Sequence, residues 1–211
     1  QMNANHSKSF SNVSGNVFDK YGSKNPVVRL LMKGFFGQFK SLLSGLQVKQ
    51  IVEVGCGEGE IGHFLSKIFP DAEYRGFDIA GDVVQKAKQR YPVLHFEMLS
   101  IYDLPKKPMK ADLFVASEVF EHLDDPVGGM NALLAMDFEY LLVSVPREPV
   151  WRVLNVARGK YLSALGNTPG HVNHWSKIGF EIFLNTFSGS LSIVSIADPF
   201  PWTMVLLRRQ R

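Results

Sequence analysis

The stretch Ile51-Val52-Glu53-Val54-Gly55-Cys56-Gly57-Glu58-Gly59-Glu60-Ile61-Gly62 determines how the rest of the chain can fold. It begins as a short apolar, β-branched run, which is typical of a buried parallel strand. Three glycines at alternate positions then interrupt the run, and the spacing of apolar residues after them is helical. A strand that turns through glycines into a helix presents backbone N–H groups at the positive end of that helix. The stretch therefore predicts a turn that binds a ligand.

Three later segments carry features that a nucleotide-type ligand would need. The run Tyr74–Asp78 is a second short strand, and it ends in a carboxylate about 20 residues after the glycines, where dinucleotide folds bind ribose hydroxyls. The run Leu94–Ile101 predicts a third strand, which leads into a polar turn at Tyr102. The run Ala111–Glu118 predicts a fourth strand that also ends in polar residues. These strand ends would meet at one edge of a parallel sheet.

This combination resembles the class I S-adenosylmethionine (SAM)-dependent methyltransferases. The segment Glu53-Val54-Gly55-Cys56-Gly57-Glu58-Gly59 is similar to their first motif, with the glycines at G-x-G-x-G spacing. A dinucleotide-dependent dehydrogenase would prefer G-x-G-x-x-G. The resemblance extends from about Asn25 to the C-terminus. It implies an enzyme that uses SAM as methyl donor and releases S-adenosylhomocysteine (SAH).

Composition restricts the class of protein further. With 211 residues, 45% hydrophobic and 20% charged, the chain suits one globular α/β domain. A single cysteine, Cys56, excludes an internal disulfide and fits a reducing compartment. No apolar run approaches the roughly 20 residues that span a bilayer, and the polar segment Asn3–Lys20 shows no signal peptide. We expect a cytoplasmic location.

The order of predicted elements defines the expected architecture. Strands and helices alternate up to a fifth strand at Glu139–Pro146, which predicts parallel strands with right-handed crossovers. An insertion, residues 149–175, follows that strand. The chain closes with two strands, Leu191–Ile196 and Trp202–Leu207, joined by a short Pro-containing turn. Such a connection permits only a hairpin. We therefore predict an α/β, Rossmann-like, seven-stranded sheet with an antiparallel last strand, helices on both faces and a small insertion after strand 5. This single domain would occupy residues 25–211, after a flexible N-terminal segment, 1–24.

The resemblance assigns the cofactor side of the site. Asp78 would hold the ribose hydroxyls, with Ile79 against the adenine. Ser100, where the family commonly has Asp, and the backbone of Ile101 would lie at the adenine edge. Tyr21 is a candidate lid residue in front of a leading helix. The full implied set is Tyr21, Glu53, Gly55, Cys56, Gly57, Gly59, Asp78, Ile79, Ser100, Ile101, Ser117 and Glu118.

The chemistry of methyl transfer requires a positioned nucleophile and, for a hydroxyl acceptor, a base that takes its proton. His171 and His174 lie in the insertion after the fifth strand, where the family usually builds its acceptor pocket. We expect His171, or failing that His174, to be this base, with His122 as a further catalytic candidate. An imidazole suits the role because its pKa lies near neutrality.

The run Glu118-Val119-Phe120-Glu121-His122 resembles one found in ubiquinone-type O-methyltransferases and in small-RNA 3′-terminal 2′-O-methyltransferases. In the RNA enzymes two Glu and a His bind a divalent metal together with a downstream His. That resemblance would make Glu118, Glu121, His122 and His171 the ligands here. Many metal-free small-molecule methyltransferases carry the same run, however, and we predict no metal.

The acceptor is the least determined part of the function. Trp151 and Tyr161 suggest an apolar or aromatic acceptor, and Arg147 and Arg152 are candidates to bind an acidic group on it. We predict O-methylation of a small or lipid-like molecule. The alternatives are a metal-dependent RNA 2′-O-methyltransferase and a non-catalytic SAM-binding partner subunit. A nucleic-acid partner is disfavoured because the net charge is only +3 and no basic stripe is interleaved with aromatic residues.

Overall fold

The structure, a computed structural model, describes residues 24–210, which form one sheet with helices on both of its faces. The strands lie in the order β3-β2-β1-β4-β5-β7-β6. Neighbours among the first five strands pair in parallel, whereas β7 is antiparallel to both β5 and β6. The predicted sheet with a reversed last strand is confirmed. Its strands are β1 (Gln50–Val54), β2 (Glu73–Asp78), β3 (His95–Met98), β4 (Lys110–Ser117), β5 (Asp137–Pro146), β6 (Leu191–Ala197) and β7 (Trp202–Arg209).

Six α-helices in the described residues cover the sheet. One face packs against the buried side chains of the first three helices, and the other face against those of the fourth and sixth. Short 3-10 turns at Ile101–Lys106, Phe120–His122 and Leu162–Ala164 complete the loops. The helices are α1 (Pro26–Leu42), α2 (Glu60–Ile68), α3 (Gly81–Arg90), α4 (Pro126–Leu134), α5 (Val150–Ala157) and α6 (Lys177–Asn185).

The central strands are apolar because they are buried on both faces. In β4, Phe114 and Ala116 belong to one core cluster, whereas Leu113 and Val115 belong to the cluster on the opposite face. All four side chains are fully buried. This is the environment that a continuous apolar run predicts for a parallel strand. β4 is parallel to β1 and β5, so its last residue, Ser117, lies at the carboxyl edge of the sheet, where ligands bind.

Two helix starts follow the capping signals in the sequence. The Asn25 side chain accepts a hydrogen bond of 2.9 Å from Val27 N, and Pro26 occupies the first helical position of α1. The Ser176 hydroxyl accepts a hydrogen bond of 3.0 Å from Gly179 N at the start of α6. The predicted lid residue Tyr21 lies outside the described residues.

The third strand is shorter than predicted. It ends at Met98, and the Ser100 hydroxyl accepts a hydrogen bond of 3.3 Å from Tyr102 N, which caps a 3-10 turn. A local side-chain bond of this kind competes with the sheet ladder. Ile101 turns into the core instead of continuing the strand. The other predicted elements differ only at their ends, and none of the helices in residues 24–210 could span a bilayer.

Candidate active site

A cavity of about 580 Å³ opens at the carboxyl ends of β1, β2 and β4. In open parallel sheets this edge is where ligands bind. The glycine turn after β1 forms one part of its wall, and α1 and the insertion after β5 form the others. Most of the predicted site residues line it, namely Glu53, Gly55, Cys56, Gly57, Asp78, Ile79, Ser100, Ile101, Ser117, Glu118, His122 and His171.

The three glycines of the turn all have positive φ, yet they are needed for different reasons. A Cβ atom on Gly55 would lie 2.4 Å from a methyl group of Val119, and one on Gly59 would lie 2.7 Å from the ring of Phe96. A Cβ on Gly57 would meet no protein atom within 4 Å. Gly57 therefore borders the open cavity. Gly59, which we expected to bind the cofactor, instead packs against aromatic rings and does not line the cavity.

Asp78 connects the end of β2 to the glycine turn. Its Oδ2 accepts a hydrogen bond of 2.9 Å from Gly57 N, and its Oδ1 accepts one of 2.9 Å from Ala80 N. An ionised carboxylate offers about four acceptor sites, so these two bonds leave capacity for hydroxyl groups of a ligand. Asp78 thus shapes the turn as well as facing the cavity.

Glu53 is a buried carboxyl at the base of the cavity, with 1% of its surface exposed. The hydroxyl of Tyr74 donates a hydrogen bond to its Oε2. Burial raises the pKa of Glu53 to about 8, although the bond from Tyr74 opposes the rise. Burial therefore favours the protonated form of Glu53. Burial also raises the pKa of the neighbouring Cys56 well above its usual range, which makes that thiol inert.

The end of β4 carries an unusual backbone conformation. Glu118 has a φ of 57°, a region that residues with a Cβ rarely adopt, and its N–H donates to Ser144 O at 2.9 Å. The hydroxyls of Ser117 and Ser144 are hydrogen bonded at 2.6 Å. Strained residues of this kind concentrate at functional sites. Here the strand end is held by β5 while Glu118 lines the cavity.

The part of the cavity lined by His122 and His171, called the histidine end below, is assembled by hydrogen bonds between two segments that are distant in sequence. The N–H groups of Val172 and Asn173 donate to Glu121 O at 2.9 and 3.1 Å. The side-chain amide of Asn173 donates to Phe120 O at 3.0 Å and to Leu123 O at 2.6 Å. These bonds fasten the insertion to the loop after β4. They bring residue 171 beside residue 122.

His122 and His171 form the polar centre of this end. Their ring centroids are 4.9 Å apart at an interplanar angle of 80°, and His171 is 9% exposed. Nδ1 of His122 lies 2.9 Å from Gly170 O, and a carbonyl can only accept, so Nδ1 carries the hydrogen. In the neutral ring Nε2 is then the basic nitrogen. Ligand atoms of Glu121, His122 and His171 all lie within 4.8 Å of one another, and Glu118 is not part of that group.

Three predicted residues lie away from this centre. His174 is exposed, its Nε2 is 2.8 Å from Asn167 Oδ1, and it does not line the cavity. Arg147 pairs with Asp198 at 3.8 Å. Arg152 donates through Nε to the Leu165 carbonyl at 3.2 Å, and neither arginine lines the cavity. The basic residues of the insertion that do line it are Arg158 and Lys160, which no local sequence pattern singles out.

Comparisons with known proteins agree with this geometry. Residues 52–136 match a family model described as a methyltransferase domain. A ubiquinone biosynthesis O-methyltransferase of Haemophilus ducreyi is 26% identical over 165 residues, which cover 72% of this chain and 69% of that protein. Three further curated relatives match over only 22–31% of their own length.

Solved structures show the same fold. The methyltransferase domain of bacterial CtHen1 has a TM-score of 0.65 and 20% identity, with 84% of this chain and 99% of that chain covered. The plantazolicin methyltransferase BpumL, solved with a pentazolic desmethylPZN analog and SAH, has a TM-score of 0.69 and 14% identity, with 89% and 87% covered. The chain thus has a methyltransferase fold, and the matched domain contains the glycine turn and the loop after β4.

Proposed function

We propose that this chain, a class I SAM-dependent methyltransferase, transfers the methyl group of SAM to an oxygen atom of a small or lipid-like acceptor. The observation that carries the proposal is the set of residues that line the cavity. It combines the glycine turn and Asp78 at one end with Glu118, His122 and His171 at the other. The first set suits a nucleoside cofactor, and the second suits removal of a proton. The name of the Haemophilus relative, an O-methyltransferase, supports an oxygen acceptor.

The residues of the cofactor end fit SAM by their chemistry. Gly57 leaves open space beside its backbone, and Asp78 supplies carboxylate oxygens for ribose hydroxyls. The buried Glu53 carboxyl can bind a polar group of the methionine part. The SAH bound to BpumL, which shares the fold, supports the same class of cofactor here.

The residues of the histidine end have to position the acceptor and take up its proton. SAM supplies an activated methyl group, so positioning the nucleophile is the main demand. A hydroxyl acceptor becomes acidic as it attacks, and His171 would accept the proton. Its ring lies near His122 and stacks 6.5 Å from the Trp151 ring at 24°, which limits its orientation.

The cavity is also lined by apolar and aromatic side chains, which favour an apolar or aromatic acceptor. Leu31 and Met32 of α1 face the cavity from one side, and Trp151 and Leu154 of α5 from another. Trp202 closes the wall beside Trp151, with ring centroids 5.7 Å apart. These side chains would bury the body of the acceptor and exclude water from the reacting groups.

The variant Asp78→Ala tests the cofactor assignment. It removes a charged hydrogen-bond acceptor, which is worth roughly 1.5–3 kcal/mol, or about a ten- to hundredfold loss of SAM affinity in calorimetry. Asp112→Ala is the matched control, because the Asp112 carboxylate also accepts two backbone bonds, from Lys49 N and Gln50 N, but does not line the cavity. Equal SAM affinity in wild type and Asp78→Ala would refute the ribose contact.

A panel of acceptors with labelled SAM separates an enzyme from a SAM-binding partner subunit. An enzyme methylates at least one hydroxylated acceptor of the panel. Tight SAM binding without transfer to any of them would favour the partner subunit.

A second candidate, metal-dependent methylation of an RNA 2′-hydroxyl, is favoured by the cluster of Glu121, His122 and His171. One carboxylate and two imidazoles suit a divalent transition metal. The bond between Nδ1 of His122 and Gly170 O also resembles the second bond that metal-binding histidines usually donate. A cation held there would orient and acidify the acceptor hydroxyl.

Metal removal distinguishes the two candidates. We expect dialysis against a chelator to change methyl transfer by less than about twofold, because the leading proposal needs no cation. We also expect Mn²⁺ to leave the melting temperature unchanged. Activity lost to the chelator and restored by Mn²⁺, with Mn²⁺ binding that disappears in His122→Ala, would establish the second candidate instead.

A further inference from the structure

The cavity wall contains an arginine that forms no ion pair with any residue of the described range, 24–210. Arg158 donates through Nε to Leu154 O at 3.2 Å and through Nη2 to Asn155 Oδ1 at 2.6 Å. Both acceptors are uncharged, and Arg158 forms no ion pair within residues 24–210. By contrast, Arg90, which also lines the cavity, lies 2.6 Å from a Glu60 carboxylate oxygen. The charge of Arg158 is thus available to a ligand.

A buried amide orients the exposed side chain of Arg158. Asn155 is only 2% exposed, and its Nδ2 donates to Gly166 O at 2.9 Å and to Thr168 Oγ1 at 3.1 Å. Its Oδ1 therefore points to the arginine. Residues 24–210 use two of the five N–H donors of the guanidinium, and a planar anion could bind the others. A fixed guanidinium loses little entropy when it binds.

The surroundings of Arg158 are mixed in character. Lys160 also lines the cavity, so two cationic side chains of the insertion border it. Trp151 and Leu154, which precede them in the chain on α5, contribute apolar surface to the same cavity. A ligand that satisfies both parts has an apolar body and a negative group.

We propose that the acceptor site selects an anionic amphiphile, an apolar or aromatic body that carries a carboxylate or phosphate, with Arg158 as the principal anion-binding residue and Lys160 beside it. This proposal rests on the proposed function only for the identity of the ligand as methyl acceptor. Anion binding at this wall can be measured without SAM and without turnover.

A pair of fluorescent probes isolates the charge. 1-Anilinonaphthalene-8-sulfonate has an aromatic body and a sulfonate, and N-phenyl-1-naphthylamine has the same body without the charge. We expect the wild-type protein to bind the sulfonate about tenfold more tightly than the amine. Arg158→Gln should lower the affinity for the sulfonate about tenfold and leave that for the amine unchanged, because it removes a charged hydrogen bond only.

Variants and competitors complete the test. Arg152→Gln is the matched control, since Arg152 lies on α5, the helix that Arg158 caps, but does not line the cavity, and it should behave as wild type. Lys160→Gln should weaken sulfonate binding less than Arg158→Gln does. Competition by 1-naphthoate against 1-naphthyl phosphate then shows which anion the site prefers.

Two results would overturn the proposal: equal affinity of the wild-type protein for both probes, or an unchanged preference in Arg158→Gln. Calorimetry with SAM keeps this outcome separate from the proposed function. If the wild-type protein does not bind SAM but still prefers the anionic probe, the cofactor assignment is refuted and the anion site stands. Normal SAM binding without that preference would refute only the anion site.

Discussion

Gly57→Val is expected to weaken SAM binding by more than a hundredfold in a protein that still folds. A Cβ at this position meets no protein atom within 4 Å, and Gly57 lines the cavity, so the valine side chain would start in open space at the cavity. The cofactor would then lose the space beside the turn. The backbone cost is about 1–2 kcal/mol, because Gly57 has a φ of 53°.

Gly45→Val provides the control for this backbone cost. Gly45 has a φ of 82°, a Cβ placed on it would also meet no atom within 4 Å, and it does not line the cavity. Both variants should lose similar thermal stability, but only Gly57→Val should lose SAM binding in calorimetry. Gly55 and Gly59 are poor test sites because their Cβ atoms would collide with Val119 and Phe96. SAM affinity within threefold of wild type in Gly57→Val would place the cofactor elsewhere.

The sheet and the cofactor end of the cavity could be predicted because their signals are local. Glycine spacing, the carboxylate at the end of β2 and the short turn before β7 are each defined within a few residues of sequence. The same local pattern could not tell Gly57 from Gly59. The two glycines differ in what a Cβ atom at each would meet. Phe96, which excludes a Cβ at Gly59, lies on β3, far from the glycine turn in sequence.

The histidine end could be predicted only in part, because long-range contacts assemble it. Nothing local distinguishes His171 from His174. Only His171 of the two lines the cavity, and this difference depends on Asn173, which docks the insertion onto the loop after β4 some 50 residues earlier. The choice of Arg158 over Arg147 likewise depends on tertiary partners. Asp198 pairs with Arg147, whereas the partners of Arg158 among residues 24–210 are uncharged acceptors.

His171→Ala is expected to lower methyl transfer by 10²–10⁴, the usual effect of removing a general base, with SAM affinity within threefold of wild type. The reason is position, since His171 lines the cavity beside His122, with its ring near that of Trp151. His174→Ala is the matched control and should stay within threefold, because His174 is exposed and outside the cavity lining.

The measurement follows SAM binding by calorimetry and turnover with labelled SAM on an acceptor found in the panel. The pH–rate profile adds a second readout, because removal of a base should also remove the limb that its titration produces. Turnover within threefold in His171→Ala would exclude this base. A joint loss of SAM binding and thermal stability would show instead that His171 acts by holding the insertion against the loop after β4. A base changes the rate and leaves the fold intact, so measuring both decides between the two roles.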